Sequence, residues 1–132
     1  MATGQARSRT ASCSCGELRV ECRGEPERVS LCHCLDCQRR TGSAFGIAAF
    51  FAAAQVRATG DANRFSRESE AGYRFDFYFC PRCGATVYWE TDRKPGRVIV
   101  AAGAFADPDF NAPVQSVYDE HRHPWLTLAL RD

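Results

Sequence analysis

Residues 64–84, RFSRESEAGYRFDFYFCPRCG, decide how the rest of the chain is read. Phe75, Phe77 and Phe79 alternate with Arg74, Asp76 and Tyr78, the period of two that a half-buried strand presents. The polar stretch Glu70 to Gly72 ahead of them reads as a turn, so 64–80 is predicted to be a β-hairpin. Its second strand runs straight into Cys80-Pro-Arg-Cys83-Gly84. In C-x-x-C-G a tight turn offers two thiolates to one metal ion and leaves backbone N–H groups free to bond sulfur. A strand that delivers a thiol turn predicts β-structure with metal at its strand ends.

Working outward, the same alternation recurs. ELRVECR (17–23) places Leu18, Val20 and Cys22 on one face; ERVSLCHC (27–34), GIAAFF (46–51) and QVRATG (55–60) follow as further strands. ATVYWET (85–91), the polar turn DRKPG (92–96) and RVIVAAG (97–103) make a second hairpin. Only LDCQRRTG (35–42) and ADPDFNA (106–112) read as short helical turns, each ending at a breaker. With no internal repeat or linker, the expected organisation is a flexible N-terminal tail over 1–12 and one mostly β domain over 13–132.

The 132 residues suffice for one ordinary core. The hydrophobic fraction of 45% and charged fraction of 25% are those of a globular chain, and no apolar run is long enough for a membrane span. A net charge of +1 and the lack of a basic tract remove the usual electrostatic drive for nucleic acid, so no nucleic-acid partner is expected. The N-terminal stretch has no apolar signal segment, which points to a reducing, cytoplasmic setting. There, eight cysteines are metal ligands or working thiols rather than disulfide partners.

Their spacing sorts seven of the eight into two groups. Cys13 and Cys15 in CSCG, with Cys80 and Cys83, complete a four-sulfur tetrahedral site; such a site is closed and therefore structural. A structural zinc contributes on the order of 10 kcal/mol, comparable with the whole stability of a small domain. In CHCLDC (32–37), an extended backbone points Cys32 and Cys34 to one side and His33 to the other. A turn after Cys34 brings Cys37 back, giving three thiolates and a fourth position unfilled from within the motif. That is the arrangement of a catalytic zinc, and its softness suits an incoming thiol. His121 or His123 in DEHRHPW closing this site is the competing arrangement, which would make it structural. His33 has two readings, a group acting behind the ligands or a satisfied structural histidine. Cys22, the eighth cysteine, is expected to be a small buried hydrophobe.

CSCGELRVE (13–21), VSLCHCLDCQRRTGSAFG (29–46), YFCPRCGATVYW (78–89) and HPWL (123–126), in this order, resemble the glutathione-dependent formaldehyde-activating enzyme family, which includes centromere protein V. The resemblance implies an Mss4-like β-tent fold stabilised by zinc, with two zinc ions. It matches Cys13, Cys15, Cys80 and Cys83 to the structural ligands and Cys32, Cys34 and Cys37 to the open, catalytic site. It also implies a carbon-sulfur lyase activity, S-(hydroxymethyl)glutathione synthase, which joins glutathione to formaldehyde. Arg39, Arg40 and the backbone of 42–46 follow the ligands and either hold peptide carboxylates or form a solvated turn. A small thiol and a small aldehyde are thus the expected partners. A non-catalytic zinc-stabilised binding module is the alternative, and the sequence is silent on oligomeric state.

Overall fold

The computed structural model describes residues 7–130. Along them run ten strands and one short helix: β1 (Ser8–Ser12), β2 (Arg19–Arg23), β3 (Arg28–Cys32), α1 (Leu35–Thr41), β4 (Gly46–Ala52), β5 (Val56–Thr59), β6 (Asn63–Glu68), β7 (Arg74–Phe79), β8 (Thr86–Thr91), β9 (Arg97–Ala101) and β10 (Gln115–Val117). The mostly β expectation holds, and both anticipated hairpins form, as β6–β7 and β8–β9. No helix among the described residues is long and apolar enough to cross a membrane.

The strands form two sheets. The smaller has the order β1-β2-β5, and the larger β10-β3-β4-β9-β8-β7-β6. All pairings are antiparallel except β10 with β3, which sets Val117 beside Cys32. The main core lies between the sheets. Ala11, Leu18, Val20 and Cys22 from the smaller sheet and its turn pack with Val29, Ala49, Phe51, Val87, Val98 and Val100 from the larger. Full burial of each larger aliphatic or aromatic side chain here contributes roughly 1.5–3 kcal/mol.

A second, smaller apolar group occupies the opposite face of the large sheet: Phe77, Trp89 and Ile99, flanked by Ala48, Phe50, Phe75 and Ala101. Alternation assigns Ile99 and Phe50 to this face while Val98, Val100 and Phe51 face the core. Trp89 reaches it by another device. Between β7 and β8, Tyr78 pairs with Tyr88 but Phe79 pairs with Thr86, so Val87 is the extra residue of a bulge. The bulge shifts the phase, leaving Val87 in the main core and turning Trp89 to the far face.

Two expectations change. Of the tail expected over 1–12, residues 1–6 lie outside the described residues, and Ser8–Ser12 form an edge strand paired with β2 from Ser8↔Arg23 to Ser12↔Arg19. Polar side chains disguise this strand; only Ala11 enters the core, while Arg9 lies across Phe110 at 5.2 Å and pairs with Glu25 at 3.2 Å. A helical turn forms at Ala102–Phe105, where Ala102 and Phe105 are buried, and the expected 106–112 stretch holds a single hydrogen-bonded turn, Phe110 N–H to Asp107 O at 3.0 Å.

Candidate functional site

The first sulfur group joins the two sheets. Cys13 follows β1, and the backbone from Cys13 to Leu18 closes a turn through Cys13 N–H to Leu18 O at 3.0 Å. Cys80 and Cys83 occupy the turn between β7 and β8, closed by Cys80 N–H to Ala85 O at 3.0 Å and Gly84 N–H to Cys80 O at 2.9 Å. Gly84 has φ +80°, a left-handed backbone conformation that glycine adopts without the strain a side chain would bring. The sulfurs converge: Cys13 Sγ to Cys15 Sγ is 3.7 Å and Cys15 Sγ to Cys80 Sγ is 3.6 Å. A tetrahedron of zinc–sulfur bonds of about 2.3 Å has an edge of roughly 3.8 Å, so the donor set fits that ion.

Backbone N–H groups bond these sulfurs in advance. Leu18 donates to Cys13 Sγ at 3.2 Å, and Arg82 and Cys83 donate to Cys80 Sγ at 3.3 and 3.5 Å. Such bonds favour the thiolate. Backbone bonding at Ala85, joined by the neighbouring sulfurs, lowers the Cys83 thiol to about 6. At Cys15 the backbone bond to Glu17 pulls the same way, but desolvation and the adjoining sulfurs prevail and push it up to about 11. Unlike neighbours of one kind signal mutual repulsion: once one sulfur is ionised the next resists, until a cation offsets the charge.

The second group forms where β3 runs into α1. The extended reading of 32–34 holds. His33 is fully buried on one side, while the Sγ atoms of Cys32, Cys34 and Cys37 on the other lie within 4.8 Å of one another. Cys34 caps α1, with φ −58° and ψ 152°, and its Sγ accepts from Cys37 N–H at 3.3 Å. The contact with Cys32, then that with Cys37, drives the Cys34 thiol down to about 2, and the Arg67 charge assists. Contacts with Cys34 and Cys37, with burial, push Cys32 far up. At Cys37 the Cys32 contact lowers the thiol, but Cys34 and burial raise it overall, against a partial pull from Arg40. Ionisation of one thiol thus opposes that of its two neighbours, and a divalent cation is what lets all three ionise. The set of three sulfurs fits zinc as an incomplete coordination shell.

No fourth histidine, cysteine or carboxylate joins this trio among the described residues. His121 and His123 serve elsewhere. Gln38 of α1 donates to the carbonyls of His33 and His121 at 2.9 and 3.1 Å, and its Oε1 accepts from His123 Nε2 at 2.8 Å. His33 Nε2 lies 2.9 Å from Ser116 Oγ, whose own proton goes to Asp119. Its Nδ1 is buried without a partner. These contacts fasten the segment 115–123 to the helix that carries Cys37. Of the two readings of His33, the structure favours the structural one, since its ring faces away from the trio.

The trio opens into a cavity of about 770 Å³ over the far face of the large sheet. Phe50, Phe75, Phe77, Trp89 and Ile99 line its floor, and Val117, Tyr118 and Glu120 line the side formed by the fastened segment. Tyr118 adopts φ +57°, a left-handed conformation that a tyrosine holds only where its surroundings impose it. Two guanidiniums lie on the aromatic floor: Arg40 4.4 Å from the Trp89 centroid, and Arg67 5.1 Å from both Phe75 and Phe77. Arg39, with its side chain 77% exposed, pairs with Asp36 and does not line the cavity. Sequence reasoning missed Arg67 and the aromatic floor; the Phe75–Phe77 spacing was the available signal, but it did not say which face would stay open. Cys22 is fully buried, as expected, and burial pushes its thiol up to about 12.

A family model described as glutathione-dependent formaldehyde-activating enzyme matches residues 8–121. Among solved structures, the chain is similar to the crystal structure of a Rhodobacter sphaeroides protein, with a TM-score of 0.58 and 18% identity over 82% of this chain and 99% of that chain. At that identity the likeness carries the fold alone. No curated protein matches the chain.

Proposed function

Because the chain belongs to the glutathione-dependent formaldehyde-activating enzyme family, we propose that it catalyses the addition of a small thiol, glutathione being the family's own, to formaldehyde or another small aldehyde. The observation that supports this most is the incomplete sulfur trio at the end of a cavity. Cys13, Cys15, Cys80 and Cys83 would hold one zinc as a structural ion, and Cys32, Cys34 and Cys37 would hold the second. The second ion would supply Lewis acidity that favours the thiolate form of an incoming thiol at neutral pH.

The chain's own groups do the rest. Arg40 and Arg67 set positive charge beside the trio, which draws a thiol toward its ionised form. The thiol proton leaves to solvent, the sulfur lone pair forms the C–S bond, and the C=O π pair moves onto oxygen, which takes up a proton. The product is a hydroxyalkyl thioether, and no oxidant or reductant is needed. Formaldehyde is already electrophilic, so holding both reactants together is the main contribution asked of the protein. The floor of Phe77, Trp89 and Ile99 keeps water off one side of the reacting pair.

The test is NMR of glutathione with formaldehyde, with and without purified protein whose zinc content has been measured. Faster exchange into the hydroxymethyl adduct at catalytic protein concentration supports the proposal. An unchanged rate with both metals bound removes it and leaves a zinc-stabilised binding module.

A further inference from the structure

Arg40 lies in the last turn of α1, three residues beyond Cys37. Packing fixes its guanidinium from two sides. Below it are the rings of Trp89 at 4.4 Å and Phe77 at 5.7 Å. Beside it is Gly46, where a Cβ would stand 2.6 Å from Arg40 Nη2 and 3.5 Å from Cys37 Cβ. Gly46 therefore supplies the space in which this cation sits against the trio.

Three of the four other arginines that line the cavity have polar partners, the exception being Arg93, which lies over the Tyr73 ring at 5.5 Å. Arg67 pairs with Asp36 at 3.4 Å, Arg97 with Glu27 at 2.7 Å, and Arg28 donates to Gln115 at 3.1 Å. Asp36 is shared between Arg67 and Arg39. Among the described residues, no carboxylate stands within ion-pair distance of Arg40. With its Cζ over the Trp89 ring and no side-chain hydrogen bond or ion pair among the described residues, Arg40 has N–H donors to offer, and a guanidinium's N–H fork matches the two oxygens of a carboxylate.

We propose that Arg40 is a specificity-determining residue that binds a carboxylate carried by the thiol, so that the site selects acidic thiols over neutral ones of the same shape. This rests on the thiol-binding reading above. It concerns which thiol enters and not whether an aldehyde then reacts, so binding alone tests it.

The experiment is calorimetric titration of the zinc-loaded protein with mercaptoacetate, 3-mercaptopropionate and 4-mercaptobutyrate, each beside its carboxamide. The expected result is a carboxylate preference of roughly 10- to 100-fold for at least one chain length, the range of a charge-assisted hydrogen bond. Arg40→Gln abolishes that preference with zinc content unchanged. Gly46→Ala, which displaces the guanidinium without removing it, reduces the preference in the same direction. No preference in the wild-type protein overturns the proposal, as does an Arg40→Gln variant that keeps it. Equal weakening of acid and amide in Arg40→Gln also overturns it, since Arg40 would then serve only to offset the charge of the trio. Competition by glyoxylate that depends on Arg40, without any preference among thiols, would move the carboxylate to the aldehyde and overturn it likewise. If adduct formation is absent while the carboxylate preference persists, the proposed reaction fails and the specificity assignment stands.

Discussion

His33, placed between two thiols of the trio, bonds Ser116 on β10 through Nε2 at 2.9 Å, across 83 positions of sequence. The parallel pairing of β10 with β3 makes this contact possible, and Gln38 repeats the connection one helical turn away. The side of the cavity formed by Val117, Tyr118 and Glu120 is therefore anchored to the metal-ligand loop itself.

Ser116→Ala should cost about 1–3 kcal/mol, because it removes the hydrogen bond of a fully buried histidine whose other ring nitrogen has no partner and leaves Nε2 only the Asp119 carboxylate at 3.6 Å. Urea unfolding at fixed zinc concentration measures this. An unchanged midpoint would mean that His33 is not anchored through Ser116.

The two sulfur groups should respond differently to loss of a ligand. Cys80 is buried within the main core and belongs to the group that joins the sheets, so Cys80→Ser should unfold the domain. Cys32→Ser should empty the trio of metal while the amide spectrum stays dispersed. Zinc analysis with two-dimensional NMR of both variants decides; equal loss of fold would contradict the division of labour.

Removing metal should expose a thiol that binds none. Cys22 is fully buried in the core that includes Cys13 and Cys80 of the first sulfur group, so it should not react in the native state. In a chelator titration followed with a thiol reagent, Cys22 should be modified together with Cys80. Modification of Cys22 before any zinc is released would show that the core opens independently of the metal.

The same burial predicts a pH dependence. The Cys22 thiol moves from an ordinary 9.0 to about 12 in the folded protein. A raised value means that the folded state holds the proton where the unfolded chain releases it. The contribution is therefore complete below about pH 9 and declines as pH rises toward 12. The decline is at most about 1.4 kcal/mol per pH unit. Cys22→Ala should show a shallower fall than wild type in denaturant unfolding between these values; parallel curves would mean that the thiol ionises as readily folded as unfolded.

The sulfur groups and both hairpins were legible because their signals are local: ligands two or three positions apart within each motif, and alternation within single strands. Cys32, Cys34 and His33 could be assigned to opposite sides from backbone geometry alone. What escaped depended on partners distant in sequence. Strand β1 carries only Ala11 into the core, so its pairing with β2 has almost no hydrophobic signature. The bulge at Val87, which turns Trp89 toward the cavity, leaves no mark on the alternation of ATVYWET. Arg39 and Arg40 are adjacent and chemically equal in sequence. Only the fold distinguishes them, setting one on Trp89 and the other in solvent.

X-ray absorption at the zinc edge, before and after addition of 3-mercaptopropionate, tests most directly whether the trio accepts an outside ligand. Four sulfurs at one site and three at the other give an average of about 3.5 sulfurs per zinc, rising to about 4 with the thiol. An average that does not rise, with a histidine or carboxylate of the chain bound to the second zinc as its fourth ligand, would contradict the account.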